Sequence, residues 1–96
     1  MPEFIYLIHP MRDEFFEDPT EPEEKILQEH YDYLSAGAAS GKVILAGPCM
    51  DNTFGIVIFK AENELEANAF MMADPSIQKN VMMAELHPLK ISIQKT

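Results

Sequence analysis

The chain opens on a β-branched and aromatic run, Phe4-Ile5-Tyr6-Leu7-Ile8, which stops at His9-Pro10, where proline cannot continue a central ladder. This predicts a first strand over 4–8. Polar residues then take over: nine acids fall between Asp13 and Asp32 against the single Lys25, so residues 11–21 read as a solvated, mobile loop. Pro22 suits a first helical position, acids fill the opening turn, and Ile26, His30, Leu34 and Ala38 recur every four residues until Gly41 breaks the rhythm. A helix of about four to five turns follows. Residues 42–46 (KVILA) predict a second strand closed by Gly47-Pro48, and residues 54–59 (FGIVIF) a third, joined to it by the turn-forming Asp51-Asn52-Thr53. Residues 62–73 carry Leu65, Ala69, Phe70 and Met72 among good helix formers and end before Asp74-Pro75, with Asp74 capping a short helical turn through Asn80. The last strand falls over 83–93, where Pro88 marks an edge or bulge.

The order is βαββαβ. With right-handed crossovers it gives an α+β, ferredoxin-like fold, a four-stranded antiparallel sheet with both helices on one face. FIYLI, VILA and IVIF are apolar at nearly every position, whereas a sheet with one wet face should alternate. The open face therefore calls for a cover, most simply a second copy of the chain in a two-fold homodimer. Ninety-six residues suit one domain over 1–96.

Charge narrows the partners. Seven basic residues against sixteen acidic give a net charge of -9, which repels phosphate backbones and argues against nucleic acid. The single Cys49 cannot form an internal disulfide, which suits a reducing, cytoplasmic setting. The opening decapeptide has no basic region and carries Glu3 early, so it reads as neither a signal peptide nor a membrane span.

Several motifs occur in a fixed order: Glu29-His30-Tyr31-Asp32-Tyr33-Leu34 on the first helix, residues 41–48 (GKVILAGP) through the second strand, and Ala73-Asp74-Pro75 after the second helix. As an ordered set they resemble the YCII-related family of small dimeric α+β barrel proteins. The resemblance implies that the helical histidine and the Asp-Pro aspartate, His30 and Asp74 here, form a catalytic pair, and it favours elimination of the dehydrochlorinase type. It also marks the loop over 11–21 as longer than usual, which implies altered access.

Topology adds an independent argument. The carboxyl ends of the first two strands, the start of the first helix and the end of the second share one edge of the sheet, so His9, Gly47, Pro48, Cys49 and Asp74 should gather there as ligand-binding and catalytic residues, with His30 about two turns down its helix. Histidine transfers protons near neutral pH, and a carboxylate on its second nitrogen fixes the tautomer. An ordinary reading stands beside this one: His30 fills an apolar stripe, Asp74 caps a turn, Cys49 is a small hydrophobe, and Met71-Met72 and Met82-Met83 fill core gaps. His9, His30 and His87 lack the close spacing of a metal site, and no Gly-rich phosphate loop or dinucleotide fingerprint calls for a cofactor. Composition and spacing by themselves favour the ordinary reading; taken with the resemblance, they lead to a small-molecule enzyme using His30 and Asp74 for proton transfer, elimination or hydrolysis. The alternative is a non-catalytic ligand-binding or protein-interaction module.

Overall fold

The computed structural model describes residues 1–95. Strand β1 (Glu3–Pro10) alternates as its pleat requires: Phe4, Tyr6 and Ile8 are buried, while Ile5, Leu7 and His9 point the other way. Helix α1 (Glu21–Ala39) begins with a capping box in which Thr20 and Glu23 exchange side-chain and backbone hydrogen bonds, and Pro22 occupies the first turn. Its buried residues His30, Leu34 and Gly37 lie one turn apart on a single face. The helix ends at Ser40, and Gly41 reverses the chain at φ 87°, a left-handed conformation that favours glycine.

Strands β2 (Val43–Pro48) and β3 (Gly55–Lys60) form the expected hairpin. Its turn is held by Asp51, whose Oδ1 accepts from the backbone N–H and hydroxyl of Thr53. A register shift between Val43 and Leu45 pairs Val43 with Phe59 and Ala46 with Val57, so both face the helices. Helix α2 (Glu64–Met72) is capped by Asn63, whose side chain accepts from Glu66, and α3 (Pro75–Gln78) is capped by Asp74. Strand β4 (Met82–Leu89) completes an antiparallel sheet of order β2-β3-β1-β4, the ferredoxin-like arrangement the element order predicts.

The core lies between this sheet and the helices, where Tyr6, Phe59 and Phe70 stack in a tilted aromatic group with Leu34, Ala67 and Met71 around it. Packing is tight where α1 crosses β2: a Cβ built on Gly37 would stand 2.6 Å from Val43 Cγ2. The opposite face of the sheet carries half-buried Ile5, Leu7, Ile56 and Ile58, cross-strand partners in pairs, with exposed Leu45 and Met83 beside them.

Four boundaries differ from the sequence expectation. Strand β2 continues through Gly47-Pro48, because an edge strand tolerates proline. Helix α2 is shorter than 62–73, since Asn63 supplies its cap. Strand β4 ends at Leu89, and Ile93 is exposed. The segment over 11–20 is not wholly solvated: Phe15 is 1% exposed, Arg12 donates through Nε to Glu23 Oε2 at 3.1 Å and through Nη2 to the Asp18 carbonyl, and the Met11 N–H donates to the Val81 carbonyl.

Candidate functional site

The site is built around a helix cap. Pro75 starts α3 without an N–H to offer, so the Asp74 carboxylate, at the N-cap, accepts instead from the backbone N–H of Ser76 at 2.9 Å and from its hydroxyl at 2.8 Å, both on Oδ1. Tyr6 reaches in from β1 and donates its hydroxyl to Oδ2 at 2.7 Å. His30, on the buried face of α1, places Nδ1 2.8 Å from Oδ1 and 2.9 Å from Oδ2. Three elements distant in sequence thus converge on one fully buried carboxylate.

The electrostatics follow from that convergence. Burial by itself would raise the Asp74 carboxyl, but the hydrogen bond and positive charge of His30, with the bonds from Tyr6 and Ser76, reverse the effect and hold it below the ordinary carboxylate range. Tyr6 is pushed up, first by burial and then by the neighbouring Asp74 charge, so its hydroxyl stays protonated as a donor. Tyr33, which donates to the Phe70 carbonyl, is raised to about 12 by burial and by Asp74. An ionised carboxylate accepts only, so Nδ1 of His30 must carry its proton toward Asp74. In neutral imidazole this leaves the lone pair on Nε2, which meets no hydrogen-bonding partner among the described residues.

His30 lines a cavity of about 220 Å³ between α1 and the helix-facing side of β2 and β3. Leu27, Leu34, Val43 and Val57 supply apolar wall, and Gly47 and Pro48 of β2 also line it. Phe16 and the exposed Tyr31 line it as well. Phe16 also borders a second, polar cavity formed with His9, Arg12, Asp13, Asn52 and Thr53.

Of the residues the sequence singles out, His30 and Asp74 are in direct contact, and Gly47 and Pro48 line the cavity at His30. His9 does not join them. Strand alternation turns it away from Tyr6 and Ile8, and its Nδ1 lies 3.3 Å from the Thr53 carbonyl in the polar cavity. Cys49 lines neither cavity; it is half-buried, and its backbone N–H donates to the Phe54 carbonyl. His87 is exposed on β4 beside Glu85. Among the described residues no group of three His, Cys, Asp or Glu side chains is arranged to hold a metal ion.

Sequence reasoning misses Tyr6 and Ser76, which hold the carboxylate in place, and Phe16 at the cavity. Tyr6 had half a signal: it is the one hydroxyl in an otherwise apolar run, and a buried hydroxyl needs a partner, but the run does not declare which parity faces in. Ser76 also had one, standing two residues after a capping aspartate.

The family model of the YCII-related domain matches residues 3–87. No curated protein matches the chain. Among solved structures, the chain is similar to a 5-chloro-2-hydroxyhydroquinone dehydrochlorinase from Burkholderia phenoliruptrix in complex with 2,5-dihydroxybenzoquinone, with a TM-score of 0.66 and 18% identity over 91% of this chain and 93% of that one. An uncharacterized protein from Thermotoga maritima matches with a TM-score of 0.49 and 14% identity, over 92% and 95% of the two chains.

Proposed function

The chain belongs to the YCII-related domain family, and from that premise we propose that it is a small-molecule enzyme in which His30 is the general acid/base and Asp74 its orienting partner. One observation carries the reading: Nδ1 of His30 lies 2.8 Å from the buried Asp74 carboxylate while the ring lines an apolar cavity and Nε2 meets no hydrogen-bonding partner among the described residues. In the forward step Nε2 takes a proton from the substrate. The substrate's X–H electron pair stays behind, and the imidazolium is stabilised through Nδ1–H by Asp74. If a leaving group sits on the adjacent carbon, that pair becomes a double bond and the group departs with its own bonding pair. The dehydrochlorinase neighbour has a reaction of this elimination type by name, which supports the choice of elimination over hydrolysis. Gly47 and Pro48, which line the same cavity, would contact the ligand.

The active form is a homodimer joined through the open sheet face, supported by Ile5, Leu7, Ile56 and Ile58, which would otherwise leave an apolar face in water. Lone Cys49 supports a reducing, cytoplasmic setting.

Nitrogen-15 NMR of the histidine rings in the wild type and Asp74→Asn tests the pair. The wild type should show His30 as the Nδ1–H tautomer, and Asp74→Asn should redistribute the tautomers and abolish turnover of halogenated hydroxy compounds. An unchanged His30 signal in the variant removes the proposed partnership.

A further inference from the structure

Beyond β4 the chain carries a strand sequence with no strand beside it. Ile91 and Ile93 alternate with Ser92 and Gln94, a β-branched pattern of period two. The chain leaves the sheet at Leu89 because the ladder with β1 runs out at the Glu3–Leu89 pair, and Pro2 has no N–H for a further rung. From there the Ile91 N–H reaches the Glu3 carboxylate at 3.5 Å, and Ile93 is 95% exposed.

The two edges of the sheet are not alike. β4 carries Glu85, His87 and Pro88, the charges and proline that keep an edge from pairing. β2 has nothing of the kind before Pro48: Val43-Ile44-Leu45-Ala46-Gly47 is uncharged, and no strand of the described residues lies along its outer side. The same strand is where the cavity at His30 is unfinished. Leu45, Ala46 and Gly47 line it, as do Tyr31, Ser35 and Ala38 of α1, and all six are exposed.

We propose that residues 90–95 of a second copy pair with β2 as a fifth strand and set an isoleucine of that copy against the exposed side of the His30 cavity. This deepens the homodimer reading and rests on it, while the acid/base reading stands apart from it. The lengths agree: β2 has six residues and so does this arm, each spanning roughly 20 Å when extended. The arm's own β2 is out of reach. β4 and β2 are opposite edges, three strand spacings or roughly 14 Å apart, so crossing the end of the sheet would leave only about two residues to pair. Charge favours the contact as well, since the arm holds Lys90 and Lys95 and no acid, whereas all sixteen acids lie in the body of the chain. Backbone hydrogen bonds supply the affinity of such strand addition and the alternate side chains its fit. A cavity walled in this way is complete only in the assembly.

Spin-labelled Ile93→Cys chains, made with Cys49→Ser so that the label has one address, are mixed with nitrogen-15 chains of natural sequence. Only contacts between copies then broaden the nitrogen-15 amides. Ile44, Leu45 and Ala46 should lose most of their intensity and Ser35 less, while α2, which packs on the β4 side, keeps its own. Ile93→Pro blocks the ladder at an exposed position and should weaken self-association about tenfold or more by sedimentation, the factor that one lost rung and one uncovered isoleucine correspond to. Broadening that spares Ile44 to Ala46, or an Ile93→Pro chain that associates as tightly as the wild type, overturns the arm. The failures are distinguishable: a dimer that broadens at Ile5 and Ile58 alone keeps the homodimer without the arm, and a wild type that sediments as a monomer at NMR concentration removes both.

Discussion

Replacing Tyr6 by phenylalanine isolates one of the bonds that hold the central carboxylate. The Tyr6 ring is fully buried against Phe59 and Phe70, so phenylalanine keeps the packing and deletes only the hydroxyl that donates to Asp74 Oδ2 at 2.7 Å. A hydrogen bond to a charged group contributes ~1.5–3 kcal/mol. Ser76 and His30 remain as donors to the same carboxylate, so the loss should fall in the lower half of that range, about 2 kcal/mol. For a domain of this size that corresponds to a fall in Tm of roughly 8–15 °C. Urea denaturation should show a lower midpoint with an unchanged m-value. The pH dependence has a definite sign. Asp74 is held below its ordinary range when folded, so its contribution is complete above ~4, the carboxylate value of the unfolded chain, and is lost as pH falls through the lower folded value. The gap between wild type and variant should therefore be constant at neutral pH and narrow in acid. His30 retains both contacts to Asp74, so its tautomer should not change. A gap under about 0.5 kcal/mol at neutral pH, or one that widens in acid, would refute the reasoning.

Gly37→Ala sets a helix-propensity gain of about 1 kcal/mol against a contact of 2.6 Å with the stiff, β-branched Val43; net destabilisation of about 1–2 kcal/mol is expected by thermal denaturation, and a rise in Tm would show that α1 can shift on β2. Phe15→Ala removes a ring that is 1% exposed and should cost about 3 kcal/mol. Hydrogen exchange should quicken over residues 11–20 while β1 stays protected, and equal exchange across both would show that Phe15 does not anchor the segment. Ile58→Lys, on the open sheet face opposite Ile5, should convert a dimer to monomer in analytical ultracentrifugation, and a variant that sediments as a dimer would move the interface elsewhere.

The parts of the fold that were legible in the sequence are those where spacing meets a local signal. The four-residue recurrence from Ile26 to Ala38 gives α1 its buried face, and Asp74-Pro75 is at once a cap and a helix start. The pair itself followed from resemblance and topology together, since composition alone leaves His30 an ordinary buried residue. What stayed hidden depends on single-residue phase. His9 belongs to the parity of β1 that points away from the helices, and an all-apolar strand does not declare which parity faces in. The shift between Val43 and Leu45 resets the alternation of β2, which periodicity cannot anticipate. Phe15 and Phe16 lie within an acidic run whose charge suggests solvation, yet one ring is buried and the other walls two cavities.

Asp74 answers to two masters at once. Whatever the site does, the acid is also a helix cap, and its loss should weaken the first turn of α3 by about 0.5–2 kcal/mol. His30 has no such second employment in the backbone. The two positions are therefore held by different constraints: the acid by a helix end as well as by the imidazole, the imidazole by the acid and the cavity alone.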